Sequence, residues 1–456
     1  MIRRMLVANR GEIAVRVARA CRELGIEVVA VYSTADREAQ HVAVADTAVC
    51  VGSAAPKDSY LNIPNLIEAA RQTGADAVHP GYGFLSEDPD FAEVCAAEGL
   101  TFVGPPPGVM AELGDKAAVK GLMAKAGLPL LPGTDTPVDT VEDGERVAAG
   151  IGYPVIIKAA AGGGGRGMTV VPDSHEFRSA YLATRSAAHA VFRDSAVYLE
   201  RFLVGARHVE IQVLCDQHGH AVHLGERDCS VQRRHQKLVE ESPSTRLDDR
   251  LRAEMGQAAV RGVRSIGYTG VGTMEFLVGE DGRFYFLELN ARIQVEHPVT
   301  EVVTGIDLVA EQIRVAAGEP LRLAQDDVRF TGAAIECRIN AEDPDRSFAP
   351  APGVLDRWEP PAGPWIRVDA GYRTGDRVPP HYDSLLAKVV AWGPERPVAL
   401  ARMDRALAEL DVHGEGIRTT AGFHRAVLNH PAFRAGEHTI HFVDEFLNEE
   451  KGDGTS

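Results

Sequence analysis

The sequence predicts a chain of two structural classes, an α/β unit with a parallel sheet followed by a mixed or antiparallel α+β region. Strand and helix patterns alternate up to about residue 104, which is typical of a parallel sheet. Later segments instead carry hairpin signals and a glycine run. At 456 residues the chain is too long for one compact core, so about two to four domains are expected.

The N-terminal unit begins with a short apolar strand, and Gly11 then opens an amphipathic helix. We predict strand cores at 5–8, 27–32, 75–78 and 100–103, and a helix over 12–24. A strand–glycine–helix start resembles a dinucleotide site, but the GxGxxG spacing is missing, which disfavours that interpretation.

Breaks in the pattern suggest the domain boundaries. The Gly104–Pro107 segment ends the first unit, and a helical connector follows. We predict an N-terminal α/β domain at 1–104, a connector at 105–130, a second unit at 131–202, a C-terminal domain at 203–447 and a polar tail at 448–456.

Composition excludes several classes of protein. The formal net charge of −17 disfavours binding to a nucleic-acid backbone. No apolar stretch reaches the roughly 18 residues of a membrane span, and the N-terminal apolar run is too short for a signal peptide. The 6 cysteines are widely spaced without a CxxC pair, which predicts a reducing, cytoplasmic location.

The most informative segment is a predicted hairpin with strands at 272–278 and 284–290. Asp281-Gly282 predicts a two-residue type I′ loop, which places Glu275 directly opposite Glu288. Unpaired like charges there would be destabilising, and a divalent cation would remove the repulsion. Asn290, two residues on, adds a neutral oxygen suited to Mg²⁺ or Mn²⁺. A solvated hairpin face is the alternative, which the apolar flanks disfavour.

The same alternation continues beyond the hairpin. Arg292, Gln294 and Glu296 share the polar face, while the residues between them are apolar. A buried line of such groups is costly without a ligand, so we expect metal, phosphate and a small anion to lie in sequence along it.

A glycine run follows the predicted strand that ends at Lys158. Consecutive glycines let backbone N–H groups surround phosphate oxygens and let a loop open and close as a lid. No Walker A sequence is present. A flexible linker is the alternative, and the preceding strand and lysine favour a phosphate-binding lid.

The segment 226–237 is strongly charged. It is either a solvated surface or a source of cations for phosphate and bicarbonate. Cys229 lies within it without a base partner that would mark a nucleophile, so we interpret it as a packed thiol.

Taken together, these segments resemble biotin carboxylase, the ATP-grasp component of biotin-dependent carboxylases. The resemblance covers about residues 1–446. It is carried by Val7–Ala14, His79–Glu87, Lys158–Gly167, Arg207–Val213, Glu226–Lys237, Arg292–His297 and Glu336–Glu342.

The resemblance implies an ATP-grasp fold with a Rossmann-like N-terminal domain, a mobile lid and an antiparallel C-terminal domain. It places ATP between the lid and the C-terminal domain, and two Mg²⁺ or Mn²⁺ ions on the hairpin residues. The nucleotide-binding residues it implies are Lys116, Lys158, Gly164, Gly165, Glu200, Arg201, Phe202, Leu203, His208, Gln232, His235, Glu275 and Glu288. Arg201 replaces a lysine common in related sequences, and Ala161 shortens the glycine run.

The bicarbonate and biotin residues that the resemblance implies lie further along the chain. Glu296 would take the proton of bicarbonate, and Arg338 would stabilise the biotin enolate. The bicarbonate set comprises Lys237, Arg292, Gln294 and Val295, and the residues near biotin are Tyr82 and Glu87. Arg338 could instead be a structural ion-pair partner of Glu336 or Glu342.

The implied reaction is ATP-dependent carboxylation of biotin through carboxyphosphate. The segment that carries biotin in the family is missing here, as is a carboxyltransferase region. We therefore expect a separate biotin carrier and a carboxyltransferase partner, or a chain that is part of a longer protein. A homodimer serving acetyl-CoA carboxylase in fatty acid biosynthesis is one setting, and propionyl-CoA or pyruvate systems are others. Another ATP-grasp ligase and a non-catalytic scaffold are the competing interpretations.

Overall fold

The protein is described here by a computed structural model that covers residues 2–160 and 167–453. Its N-terminal part is a five-stranded parallel sheet in the order β3-β2-β1-β4-β5. The strands are β1 (Arg4–Val7), β2 (Glu27–Ser33), β3 (Thr47–Gly52), β4 (Ala77–His79) and β5 (Thr101–Phe102). The helices are α1 (Gly11–Glu23), α2 (Gln40–Ala43), α3 (Ile63–Thr73) and α4 (Pro89–Ala97). The predicted parallel sheet is confirmed, with β3 as an additional edge strand.

A smaller antiparallel sheet follows, in the order β7-β6-β8. Its elements and those of the preceding connector are α5 (Pro107–Gly114), α6 (Lys116–Lys125), α7 (Val141–Ile151), β6 (Val155–Ala159), β7 (Met168–Val171), α8 (Ser174–Phe192) and β8 (Val197–Arg201). Val155, Ile157 and Leu199 pack against Phe177 and Tyr181 of α8 in a core of their own.

The largest sheet has eight antiparallel strands in the order β13-β12-β9-β10-β11-β14-β21-β19. Its first half comprises β9 (Arg207–Cys215), β10 (Ala221–Arg233), β11 (Gln236–Ser242), α9 (Asp249–Ser265), β12 (Gly270–Val278), β13 (Phe284–Asn290), α10 (His297–Thr304), α11 (Leu308–Ala316) and β14 (Ala333–Asn340). The remaining strands are β15 (Glu342–Asp343), β16 (Ala349–Pro350), β17 (Gly353–Val354), β18 (Arg357–Glu359), β19 (Ile366–Ala370), β20 (Arg377–Val378), β21 (Leu385–Gly393) and β22 (Asp411–His413). The remaining helices are α12 (Arg396–Glu409), α13 (Ala421–Asn429), α14 (Pro431–Ala435) and α15 (Phe442–Asp453).

The two faces of the large sheet differ in chemistry because side chains alternate along each strand. On β9, Val209 and Ile211 join the apolar core beneath α9. His208 and Glu210 point to the opposite face, where they are also buried. A sheet with one apolar face and one buried polar face therefore supplies the floor of the functional site.

The hairpin predicted from Asp281-Gly282 is present, with one correction. Glu275 lies directly opposite Glu288, as predicted, but Val278 pairs with Phe284, so the loop spans residues 279–283. A type I′ turn needs a positive φ at both central residues, and of Asp281-Gly282 only the glycine has one, at 74°. A bulge at Leu287 lies between the two registers and restores the predicted pairing.

Strand geometry does not continue to Glu296 as the polar alternation suggested. β13 ends at Asn290, and α10 begins at His297 with Pro298 in its first turn. Residues 291–296 form bends and turns, and Pro298 then suits the first turn of α10. Within the residues that the structure describes, no helix has the length and apolar character to cross a membrane.

Candidate active site

A cleft of about 2500 Å³ lies between the three sheets. The N-terminal part contributes residues 9–13, where the chain leaves β1 and enters α1, and the smaller sheet β7-β6-β8, named the lid sheet from here on, contributes β6 and β8. The predicted residues that line it are Tyr82, Lys158, Glu200, Arg201, Phe202, Leu203, His208, Gln232, His235, Lys237, Glu275, Glu288, Asn290, Arg292, Gln294, Val295 and Arg338. Gly164 and Gly165 lie outside the described residues, as does the side chain of Lys116.

Four strands place charged residues in one row across the cleft floor. Glu288 of β13 lies opposite Glu275 of β12, which lies opposite Glu210 of β9, which lies opposite Arg227 of β10. The Arg227 guanidinium donates to Glu210 at 2.6 Å, and both side chains are fully buried. Three carboxylates in succession require compensating cations.

Lys237 of β11 supplies much of that compensation. Its ammonium contacts Glu210, and it donates to Glu275 at 2.9 Å and to Glu296 at 2.7 Å. Burial opposes the charged amine, but the three carboxylates outweigh burial and hold the pKa of Lys237 well above its ordinary value.

Glu275 is further held by His208, whose Nε2 lies 2.8 Å from one carboxylate oxygen. Burial opposes ionisation of Glu275, yet Lys237 and His208 outweigh it and keep the pKa of this carboxyl well below its ordinary value. Burial likewise opposes the imidazolium of His208, and the neighbouring Glu275 nevertheless raises the pKa of that histidine. Each partner therefore favours the charged form of the other.

Arg292 lies beside the row, next to Asn290 and Gln294, which both contact Glu275. The Arg292 guanidinium donates to Gln294 at 3.0 Å and to Asn290 at 3.1 Å. Glu87 fixes the other side of that guanidinium, accepting from its Nε at 2.9 Å and from the Ala291 N–H at 2.9 Å. Arg292 is therefore aimed into the cleft by side chains from two parts of the fold.

Glu296 lies between Lys237 and Arg338 and contacts both. One of its oxygens accepts from Lys237, and the other accepts from Arg338 at 2.8 Å. Arg338 also donates to Glu240 at 2.6 Å. Burial opposes ionisation of Glu296, but Lys237 and then Arg338 lower the pKa of its carboxyl well below the ordinary value. Arg338 does form ion pairs, as the alternative interpretation expected, but its partners are Glu240 and Glu296, whereas that interpretation named Glu336 or Glu342.

Cys229 lies beside Glu296, with its sulfur 3.9 Å from a carboxylate oxygen. Burial raises the pKa of the Cys229 thiol well above its ordinary value, and Glu210 adds to the effect. The thiol form is inert, which agrees with the prediction of a packed thiol. The alternative of a solvated charge run is wrong for residues 226–231, which are buried on β10.

The other end of the cleft is centred on Glu200 of β8. Its two carboxylate oxygens contact the ammonium groups of Lys120 and Lys158. Burial opposes ionisation of Glu200, and Lys158 and Lys120 together lower the pKa of its carboxyl. Arg201 turns away from the cleft floor and donates to the Ile151 carbonyl at 3.1 Å, near the end of α7.

The turn between β10 and β11 carries local strain. Arg234 and His235 have φ values of 48° and 67°, in the left-handed region that non-glycine residues rarely adopt. Each such residue costs about 1–3 kcal/mol, and such strain is found at functional sites. Here it places His235 and the neighbouring Gln232 at the cleft wall.

Sequence reasoning missed four residues that the fold brings to this site: Glu210, Arg227, Lys120 and Glu240. Glu210 could have been found, because it shares the parity of His208 on one strand. Arg227 lies within segment 226–237, whose charge predicted cations without singling out this one, whereas Lys120 and Glu240 reach the site from separate elements and no local spacing relates them to it.

The donor set of the hairpin fits a divalent cation. Two carboxylates face each other across strands, and the Asn290 amide lies 3.0 Å from Glu275. Carboxylate and amide oxygens are the ligands that Mg²⁺ and Mn²⁺ prefer. His208, Glu210 and Glu275 also converge closely enough for one ion.

Comparison with known proteins agrees with this architecture. The family model for the biotin carboxylase N-terminal domain matches residues 1–110, and that for the biotin carboxylase C-terminal domain matches residues 336–445. Between them, the model for the carbamoyl-phosphate synthase L chain ATP-binding domain matches residues 115–324.

The relatives extend over almost the whole chain. A biotin carboxylase from Nostoc sp. is 54% identical over 97% of this chain and 98% of its own length. A pyruvate carboxylase subunit from Methanothermobacter thermautotrophicus is 51% identical over 98% of this chain and 90% of its own length.

Solved structures are similar as well. The biotin carboxylase domain of a thermophilic 2-oxoglutarate carboxylase, bound to bicarbonate, has a TM-score of 0.93 and 45% identity, with 98% of each chain covered. A biotin carboxylase from Campylobacter jejuni, complexed with β,γ-ATP, has a TM-score of 0.91 and 44% identity over 98% of this chain and 99% of its own.

The lid sheet over a charged antiparallel floor defines an ATP-grasp enzyme. The relatives and family models then narrow the class. The chain belongs to the biotin carboxylase family.

Proposed function

We propose that the chain uses ATP to carboxylate biotin with bicarbonate, giving carboxybiotin, ADP and phosphate. The observation that carries the proposal is the position of Lys237. Its ammonium contacts both Glu275, in the row of carboxylates that could bind a metal, and Glu296, beside the residues proposed for bicarbonate. One buried cation thereby connects the groups needed for ATP, for bicarbonate and for proton removal.

ATP would lie between the lid sheet and the large sheet. The lid residues would hold its phosphates, and the end of β8 would hold its adenine. Lys116 and Lys158 would hold the phosphates, and Gly164 and Gly165 would form the lid contact. The adenine contacts would be Glu200, Arg201, Phe202 and Leu203, and the residues that would line the rest of the nucleotide site are His208, Gln232 and His235. We also propose that the lid moves to open and close the cleft, and that new domains or connectors begin at residues 105, 131 and 203.

Bicarbonate would enter beside Arg292, Gln294, Lys237 and the Val295 N–H. Glu296 would then accept its proton while a bicarbonate oxygen bonds to the γ-phosphorus and the bond to ADP breaks. The product is carboxyphosphate. A resting pKa of Glu296 far below its ordinary value makes it a weak base. Transfer of Lys237 from Glu296 to the incoming anions would raise that basicity when it is needed.

Carboxyphosphate would next release CO₂ and phosphate. The phosphate would take the N1′ proton of biotin, and the resulting nitrogen would bond to CO₂. Arg338 would stabilise the enolate oxygen that forms on biotin. Tyr82 lines the cleft, and Glu87 would act by holding Arg292 in place.

Glu275, Glu288 and Asn290 would hold Mg²⁺ or Mn²⁺, which would neutralise phosphate charge as it develops. Glu288→Gln should therefore lower turnover by at least about 10–100-fold, the loss typical of an outer-shell partner, with a raised metal requirement, because one charged ligand is lost. The fold should persist, since repulsion between facing carboxylates falls. Activity against Mg²⁺ concentration measures this, and ordinary metal dependence would refute the cross-strand site.

The proposal is tested by ATP cleavage with and without bicarbonate and free biotin. Cleavage should need bicarbonate and should rise with biotin. Glu296→Gln should reduce bicarbonate-dependent cleavage about 10²–10⁴-fold, the usual contribution of a general base. A rate that biotin leaves unchanged would instead favour another ATP-grasp ligase, and no cleavage by the folded protein would favour a scaffold.

The partners belong to the same proposal. We expect a biotin carrier, a carboxyltransferase and a homodimer, because a related 2-oxoglutarate carboxylase domain is a dimer in its solved structure. The acyl acceptor is open, since relatives include biotin carboxylases and a pyruvate carboxylase subunit. Co-purification of partners from the source cells tests the acyl acceptor, including the setting of acetyl-CoA carboxylase in fatty acid biosynthesis. Cell fractionation tests the cytoplasmic location.

A further inference from the structure

The segment 294–297 carries two consecutive peptide groups whose carbonyl oxygens are each held by a buried side chain. His297 Nδ1 lies 2.8 Å from the Gln294 carbonyl oxygen. Lys388 of β21 donates to the Val295 carbonyl oxygen at 2.7 Å. Both His297 and Lys388 are fully buried.

These contacts determine where a backbone donor points. A peptide group is planar, so fixing the Gln294 carbonyl also fixes the Val295 N–H on the other side of the same bond. Fixing the Val295 carbonyl removes the remaining rotation between Val295 and Glu296. The two hydrogen bonds together set the direction of the Val295 N–H relative to the Glu296 carboxylate.

Lys388 is itself placed by the large sheet and by helix α1. It lies directly opposite Arg338 in the pairing of β14 and β21. Its ammonium is 3.1 Å from Glu12 of α1, and the other oxygen of Glu12 accepts from the Tyr82 hydroxyl. Lys388 therefore links segment 294–297, named the bicarbonate segment from here on, to helix α1 and, through Glu12, to Tyr82 in the cleft.

His297 acts as a neutral donor. Burial lowers the pKa of His297 well below its ordinary value, and the nearby Lys388, Arg16 and Arg367 add to that effect. A carbonyl oxygen can only accept, so the proton of the neutral ring resides on Nδ1. Nε2 then lies 3.9 Å from Glu301, the nearest facing carboxylate.

We infer that Lys388 and His297 are positioning residues that aim the Val295 N–H and the Glu296 carboxylate at one bicarbonate ion. Neither touches the reacting atoms. The inference rests on the proposed function, in which Val295 and Glu296 address bicarbonate. It assigns to the Lys388–Glu12 pair a role in affinity for that anion, beyond its role in joining the N-terminal and C-terminal parts.

The first test compares Lys388→Met with the double variant Lys388→Met/Glu12→Gln. The single variant leaves Glu12 buried without its cation, which destabilises the fold. The double variant removes both charges, so the melting temperature should recover while the Val295 contact stays lost. We expect the KM for bicarbonate to remain raised about tenfold or more in the double variant, with the KM for ATP within about twofold of wild type.

A matched control is the ion pair of Arg252 and Glu226, joined at 2.9 Å between α9 and β10. Arg252→Met/Glu226→Gln also removes a largely buried pair but lies away from the bicarbonate segment. Its KM for bicarbonate should match wild type. If the Lys388→Met/Glu12→Gln variant behaves in the same way, the positioning role is overturned.

His297 gives a second, independent arm. His297→Asn places an amide N–H near the position of Nδ1, whereas His297→Leu has no donor. The asparagine variant should keep the KM for bicarbonate closer to wild type than the leucine variant. Equal values in these two variants would overturn the inference, and this arm decides the matter if the Lys388 double variant does not fold.

A third variant separates this inference from the proposed function. Gln294→Ala removes a proposed bicarbonate contact directly. If it leaves the KM for bicarbonate unchanged, the proposed anion site is wrong. If it raises that KM while the Lys388 and His297 variants do not, only the positioning inference fails.

Discussion

Glu200 at the lid end of the cleft and Lys237 at the other end are both centres of ion-pair clusters, but their exposure differs. The lysines that contact Glu200 are partly open to solvent, with side-chain exposures of 42% for Lys120 and 28% for Lys158. Lys237 is 10% exposed, and its three carboxylate partners are almost completely buried. The same residue types therefore meet in two dielectric environments.

The difference bears on how each cluster can exchange partners. Solvent-exposed ion pairs contribute about 0–1 kcal/mol, and the lid-end lysines are partly solvated, so one of them can leave Glu200 for a phosphate at a lower cost while the other still compensates that buried carboxylate. Removing one partner of a buried pair costs about 3–5 kcal/mol, because the remaining charge is left uncompensated. The buried end holds its geometry before any ligand arrives.

The largest effect on the buried cluster is expected from Lys237→Met. Three buried carboxylates would lose a common cation, so turnover should fall at least ~10³-fold and the melting temperature should drop markedly. Thermal unfolding and bicarbonate-dependent ATP cleavage on the same sample measure both effects. A variant with the stability of wild type would mean that Lys237 does not compensate these carboxylates.

Arg338→Ala sharpens the comparison within the buried end. If Arg338 stabilises the biotin enolate, carboxybiotin formation should fall about 10²–10³-fold while some ATP cleavage persists. Loss of its contacts with Glu240 and Glu296 should also lower the melting temperature. Parallel measurement of carboxybiotin and ADP separates the roles, since equal losses in both products would identify Arg338 as purely structural.

Glu240 makes the buried end sensitive to pH. Burial raises the pKa of its carboxyl from 4.5 to about 7, against the opposing charge of Arg338. An acid with a raised folded-state pKa contributes stability that is complete below its unfolded pKa and is lost as the pH rises through the folded one. Glu240→Gln should therefore flatten the fall in unfolding free energy between pH 4.5 and about 7. Urea unfolding at several pH values checks this, and an unchanged slope would contradict it.

The smallest effect is expected at the exposed end. Lys120→Met should change stability by only about 1 kcal/mol, because Lys120 is partly exposed and Lys158 still compensates the buried Glu200 carboxylate. Its KM for ATP should rise only a few-fold, and high salt should reduce the difference from wild type. An effect as large as that of Lys237→Met would show that exposure does not distinguish the two clusters.

The parts of the fold that the sequence predicted are those with local signals. Apolar runs and Gly11 located β1, α1 and β2 to within a residue or so. The edge strand β3 was missed although Ala48–Val51 form a short apolar run, and most of its residues are partly buried or exposed, as suits a strand at the edge of the sheet. The polar alternation continued to Glu296 although β13 ends at Asn290 and residues 291–296 form bends and turns, because alternation alone does not mark the residue at which a strand ends.

The site was predictable only in part for a similar reason. Glu275 and Glu288 are joined by a short loop, so their opposition followed from the sequence between them. Glu240 reaches Arg338 across a sequence separation of 98 residues, and Lys388 reaches Val295 across 93. Such contacts depend on strand order in the large sheet, which spacing in one sequence does not specify.

The bulge at Leu287 changes what β13 can present to a ligand. A regular strand shows only every second side chain to one side, whereas Leu287 and Glu288 are chain neighbours that both line the cleft. Before the bulge the even-numbered Phe284 and Phe286 enter the apolar core, and after it the odd-numbered Leu289 does so. The extra residue thus places an apolar side chain beside the Glu288 carboxylate without moving either the core or the facing carboxylates. A nucleotide, which joins a flat apolar ring to charged phosphates, needs such adjacent surfaces of opposite polarity.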